Sequence, residues 1–157
     1  MNPKELLKAV QTILVIDWPS KEVPETLARA GFHIVVRGGP GPEEFSAYEL
    51  NNGEVVARHT GRPPERAELI YSYRPFSELP EIVAAAKRSH AETIWTQSGL
   101  SASGANDPKG CWAPENELQA ARNLVQSAGL SYVTEPYIVD VVREIQASLR
   151  TIDPGAG

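Results

Sequence analysis

Thr12-Ile13-Leu14-Val15-Ile16-Asp17 and Phe32-His33-Ile34-Val35-Val36-Arg37, joined through Pro24-Glu25-Thr26-Leu27-Ala28-Arg29-Ala30-Gly31, decide the fold. The two flanking runs are short, β-branched and almost continuously apolar. That is the pattern of strands buried on both faces, not of strands with one wet face. The middle segment has a proline near its start and a glycine just past its end, which suits a short helix. Strand, helix and strand in about 26 residues make a βαβ unit, and such units are right-handed and parallel.

The same alternation continues. Runs 69–73, 93–97 and 132–134 are predicted strands. Between and after them, 78–89, 115–128 and 137–149 carry helical spacing, and Leu6, Leu7 and Val10 suggest a short helix ahead of the first strand. Ser77 is placed to cap the helix 78–89, with Pro80 in its first turn, and Gly129 stops the helix before it. Asn52-Gly53 between alternating residues marks a hairpin within 45–60. The expectation is one α/β domain over residues 1–150: a Rossmann-like, mainly parallel five-stranded sheet with helices on both faces, a small inserted hairpin, and a loose tail at 151–157.

Composition narrows the function. The 157 residues are 41% hydrophobic and 22% charged, with a formal net charge of −5. A general nucleic-acid binder would show a basic excess, so nucleic acid is not an expected partner. No apolar run approaches the roughly 20 residues of a membrane span, and the first residues show no apolar signal region, so no membrane partner and a cytoplasmic location are expected. Cys111 is the single cysteine, which excludes an intrachain disulfide and reads as a lone thiol in a loop. His33, His59 and His90 lack ligand spacing. A homo-oligomer stays open.

In open parallel sheets ligands bind at the carboxyl ends of the strands, so the residues there are the candidates. They are Trp18-Pro19-Ser20-Lys21 after the first strand, Arg37-Gly38 at the end of the second, Tyr73-Arg74-Pro75 after the third, and Gln97-Ser98-Gly99 after the fourth. Lys109 sits in the long loop 101–114 that follows. Basic side chains and glycine-exposed N–H groups converging on one edge suit a small anionic nucleotide. Arg74 leads the cations, because arginine offers a bidentate fork just ahead of a helix N-terminus. The loop itself reads as a mobile cover for the site. Trp18 and Trp112 are candidate stacking platforms, whereas Trp95 reads as core. The first strand leads into no G-x-G-x-x-G, and no P-loop, metal triad or G-x-S-x-G elbow occurs. Asp17 reads as a carboxylate capping a turn, not as a base, and no catalytic residue is assigned.

Four segments together resemble the CoA-binding domain family, the stand-alone relatives of the N-terminal domain of the succinyl-CoA synthetase α subunit. They are Ala30-Gly31-Phe32-His33-Ile34-Val35-Val36, Tyr73-Arg74-Pro75-Phe76-Ser77-Glu78-Leu79-Pro80-Glu81-Ile82-Val83, Ile94-Trp95-Thr96-Gln97-Ser98-Gly99-Leu100 and Ala128-Gly129-Leu130-Ser131-Tyr132-Val133. The sequence departs from that family where Asp17, Trp18 and Pro19 follow the first strand, where Arg37-Gly38 follows the second, and at Glu135-Pro136-Tyr137. The resemblance implies CoA or acyl-CoA as cofactor; the strand-end residues expected to hold it, without catalysis, are Trp18, Pro19, Ser20, Lys21, Arg37, Gly38, Tyr73, Arg74, Pro75, Gln97, Ser98 and Gly99. Three other readings stand beside it: another nucleotide such as NAD(P), a degenerate domain serving as a protein-interaction module, and an enzyme using 101–114 as a lid.

Overall fold

A computed structural model describes residues 2–18, 20–38 and 44–152. The expected site residue Pro19, the turn residues Gly39 to Gly41, and residues 153–157 of the expected tail lie outside them. In chain order the elements are α1 (Pro3–Lys8), β1 (Thr12–Ile16), α2 (Glu22–Arg29), β2 (His33–Arg37), β3 (Phe45–Asn51), β4 (Glu54–His59), β5 (Leu69–Ser72), α3 (Leu79–Arg88), β6 (Thr93–Thr96), α4 (Glu115–Ser127), β7 (Ser131–Val133) and α5 (Ile138–Ile152). The last helix takes in Thr151 and Ile152, so the expected tail begins two residues too early.

The strands form one sheet in the order β4-β3-β2-β1-β5-β6-β7. β2, β1, β5, β6 and β7 are parallel, and β3 and β4 continue the sheet antiparallel beyond β2. The hairpin is therefore part of the sheet: Ile34 pairs with Tyr48 and Arg37 with Phe45. Its turn is the expected one, with Asn52 at φ 53° and Gly53 at φ 84°, both in the left-handed region that a tight Asn-Gly turn demands.

Alternation along the strands separates two cores. Ile13 and Val15 of β1, Ile34 and Val36 of β2, Tyr71 of β5 and Trp95 of β6 face α1, α2 and α5. Leu14 and Ile16, Val35, Ile70 and Ile94 face α3 and α4, where Ile82, Ala86, Ala121 and Val125 meet them. Both faces are covered, which is why the strands contain so little polar sequence.

Two helix ends follow the expected chemistry and one does not. Gly31 (φ 99°) and Gly129 (φ 81°) stand just past the ends of α2 and α4, where a side chain would be strained. Ser77 makes no capping bond to α3, because residues Phe76–Glu78 form a 3-10 turn that feeds the helix directly. Pro80 does occupy the first turn.

Candidate functional site

The chain reverses its direction across the sheet at β1. It moves from β1 out to β2 and the hairpin, then returns to β5 on the other side. The carboxyl ends of β1 and β5 thus flank the topological switch point, where open α/β sheets leave a crevice. Asp17 stands at one side of it and Tyr73 and Arg74 at the other.

A cavity of about 840 Å³ opens there and extends along the ends of β5 and β6 to α4. This is within the usual range for a small-molecule site. Asp17, Tyr73, Arg74, Pro75, Gln97 and Ser98 supply its sheet-side wall. Phe76, Leu79, Leu100 and Pro114, with Ala121 and Leu124 of α4, make the rest largely apolar.

Arg74 is not a free cation. Its Nη1 donates to Asp17 Oδ2 at 2.8 Å, its Nη2 to Glu78 Oε2 at 2.6 Å, and its Nε to both Glu78 oxygens at 3.1 Å. The Glu78 hydrogen bonds, then those to Asp17, raise the guanidinium's already high pKa. Asp17 is itself held in the left-handed region (φ 64°), a conformation that aspartate tolerates better than most residues. Its Oδ1 accepts from the Trp18 N–H at 2.9 Å. Because the three side chains remain 28–43% exposed, solvent screens the pairs. Arg74→Ala is therefore expected to lower folding stability by only about 0.5–1 kcal/mol. A urea unfolding curve checks this, and a loss above about 2 kcal/mol would make the cluster a fold determinant.

Behind the wall lies a buried polar chain. The Tyr71 hydroxyl donates to Gln97 Oε1, and Gln97 Nε2 donates to the Pro108 carbonyl. Tyr71 is fully buried and Gln97 is 2% exposed. Desolvation, aided by nearby groups such as Tyr137, holds the Tyr71 phenol well above its ordinary pKa. Gln97 thus tethers the long loop to the sheet.

That loop is built differently from the open cover its composition suggests. It folds back on the segment after β6: Gly99 N donates to Gly110 O (3.0 Å), Asp107 N to Gly99 O (2.8 Å) and Trp112 N to Leu100 O (3.1 Å). Leu100 and Asn106 form a β-bridge. Ser98 Oγ donates to Gly110 O at 3.3 Å. Only its C-terminal end, at Ala113 and Pro114, reaches the cavity.

Of the expected site residues, Tyr73, Arg74, Pro75, Gln97 and Ser98 come together on the cavity wall. Gly99 (φ 75°) packs under the Tyr73 ring, where a Cβ would collide. The others sit elsewhere. The Trp18 ring closes on Gly38, 2.9 Å from where a Cβ would stand, and packs against the α2/α5 core. It is half-buried and lies outside the cavity wall. Arg37 lines a separate depression with Leu14, Phe45 and Arg88. Ser20 and Lys21 precede α2 away from the cavity. Trp112 is 40% exposed and outside the cavity wall.

Sequence reasoning missed the α4 side altogether. Glu117, Ala120, Ala121 and Leu124 line the cavity, yet their spacing reads as an ordinary amphipathic stripe. No sequence signal set them apart; the structure shows Leu124, large and apolar, to be 39% exposed.

The surroundings of Cys111 disfavour its thiolate at neutral pH. Burial first, then Glu135 and Asp140, push its thiol up to about 11. At pH 8 its alkylation by iodoacetamide should run about 100-fold slower than that of a thiol at the ordinary value, because at fixed pH the thiolate fraction falls about tenfold for each unit the pKa rises. Quenched time courses on native and urea-unfolded chain measure this, and equal rates would contradict it. The sign for stability follows: the raised value favours the fold fully below about pH 9.0, and that contribution fades as pH climbs toward 11.

Among the described residues no cluster of three or more His, Cys, Asp and Glu is placed to hold a metal, and no helix is long and apolar enough to cross a membrane.

Fold and site together define a Rossmann-like α/β domain with a ligand-sized crevice at its switch point. Solved structures share the fold. The PH1109 protein redesigned for binding (Prb) superposes with a TM-score of 0.60 at 16% identity, over 92% of this chain and 89% of that one. The cell-free ID.343 protein from Thermus thermophilus gives 0.56 at 20% identity, over 92% and 99%. No family model and no curated protein matches the sequence.

Proposed function

We propose that the chain binds CoA, an acyl-CoA or a related nucleotide at the carboxyl edge of β1, β5 and β6 without catalysing a reaction on it. The observation that carries this reading is the 840 Å³ cavity at the switch point, walled by Tyr73, Arg74, Pro75, Gln97 and Ser98 of the segments that resemble the CoA-binding domain family. The non-catalytic part rests on how these polar groups are engaged. Arg74 and Asp17 hold each other, Gln97 is tied to Tyr71 and Pro108, and Ser98 is tied to Gly110. None of these side chains forms a nucleophile–base pair.

Thermal unfolding in the presence of CoA thioesters and other nucleotides tests the reading. Ligand at one hundred times its Kd stabilises the native state by about 2.7 kcal/mol, a shift of about 5–11 °C for a domain near this size. A shift with CoA or acyl-CoA supports the proposal. A shift with NAD(P) alone replaces CoA with a different nucleotide. No shift with any of them turns the weight to a protein-interaction module.

A further inference from the structure

Resting on the reading that the ligand is a CoA thioester, we infer that the cavity takes its uncharged acyl-pantetheine end and leaves its phosphates in solvent. The wall is made for an apolar chain: Phe76, Leu79, Leu100, Pro114, Ala121 and Leu124 form most of it. The neutral, part-exposed side chains of Tyr73 and Ser98 line the sheet side, where the amides of a pantetheine arm would meet them.

The charges oppose a phosphate. Among the described residues Arg74 is the one cation on the wall, and Asp17 and Glu78 already surround it at 2.6–3.1 Å. Glu117 adds a third carboxylate from α4. A phosphate approaching Arg74 must displace a carboxylate and then remain beside it, a like-charge contact in a partly desolvated crevice. The helix ends give no relief. Glu115 and Glu117 occupy the first turn of α4, and Glu78 and Glu81 stand at the start of α3, so acidic side chains already complement both positive ends.

Isothermal titration of the full chain with three probes tests the inference. The probes are octanoyl-CoA, octanoyl-pantetheine, which lacks every phosphate, and 3′,5′-ADP, which lacks the thioester arm. Octanoyl-pantetheine should bind within about threefold of octanoyl-CoA, both should change less than about threefold over a tenfold rise in salt, and 3′,5′-ADP should displace neither. Leu124→Trp should fill the cavity mouth and weaken octanoyl-pantetheine at least about tenfold. If that variant melts early, Ala120→Leu, on the exposed side of α4, makes the same test. Binding of octanoyl-CoA that 3′,5′-ADP abolishes, with no binding of octanoyl-pantetheine, overturns the inference and leaves the CoA reading standing. Binding by none of the three overturns both. Wild-type affinity in a folded cavity-filling variant also overturns the inference, because the ligand then lies elsewhere.

Discussion

Trp95→Ala is expected to lower folding stability by about 3–5 kcal/mol, the largest single effect in this chain. Trp95 has no exposed surface and heads the residues fully buried in the core. It sits on β6 between β5 and β7, facing α5, so its ring joins the sheet to the last helix. Its Nε1 donates to the Pro136 carbonyl at 3.2 Å, which fixes the chain just before α5 begins. Alanine removes both the packed ring and the donor, and the surroundings cannot collapse across a rigid parallel sheet. Trp95→Phe separates the two parts: it keeps most of the packing and loses the hydrogen bond, for about 1–3 kcal/mol. Urea unfolding followed by circular dichroism reads both values. A loss below about 1 kcal/mol for the alanine variant would mean that this face of the core is loosely packed.

Gly110→Ala should cost about 1–3 kcal/mol and weaken ligand binding as well. The reason is local. A Cβ on Gly110 would come within 2.8 Å of the Leu100 nitrogen, among backbone atoms that cannot rotate away. To accept it, the loop must separate from the segment after β6, breaking the Gly99–Gly110 and Trp112–Leu100 hydrogen bonds. Leu100 and Pro114 would shift with it, and both line the cavity. The distinguishing comparison is Gly104→Ala in the same loop. Gly104 has φ 85°, so alanine is strained there, but the nearest contact is the Trp112 ring at 3.9 Å and the cavity wall is untouched. Stability should fall in both variants and ligand affinity only in Gly110→Ala. Equal affinities in the two would separate the loop from the site.

Much of the sheet was readable from the sequence because burial on both faces leaves a strong signal. The parallel strands β1, β2, β5 and β6 lie within a residue of the apolar runs, and Asn52-Gly53 placed the hairpin turn. What failed to show was pairing at a distance. Nothing in Phe45 to His59 says that the hairpin docks on β2 and lengthens the sheet, since alternation specifies a strand and not its neighbour. The site was half legible for the same reason. Tyr73, Arg74, Pro75, Gln97 and Ser98 follow strands, and topology alone gathers them. Whether a cation there is free depends on the carboxylates beside it. Glu78, four residues beyond Arg74, could be seen, but Asp17 reaches Arg74 across 57 positions. Arg37 shares the strand-end edge yet lines another depression, with Leu14, Phe45 and Arg88.

The hairpin has a consequence for how the chain survives at high concentration. Without β3 and β4, the outermost strand would be β2, with Ile34-Val35-Val36 presenting a row of open N–H and C=O groups. Such an edge is a template for another copy to add to, and β-branched residues make it an efficient one. The strand that stands there instead is β4, carrying Glu54, Arg58 and His59 on a largely exposed ribbon, with Arg58 paired to Glu49 across the hairpin. An incoming strand would have to bury those charges. The insertion acts as a guard rail: it caps the sticky side of the sheet with a strand that discourages further growth.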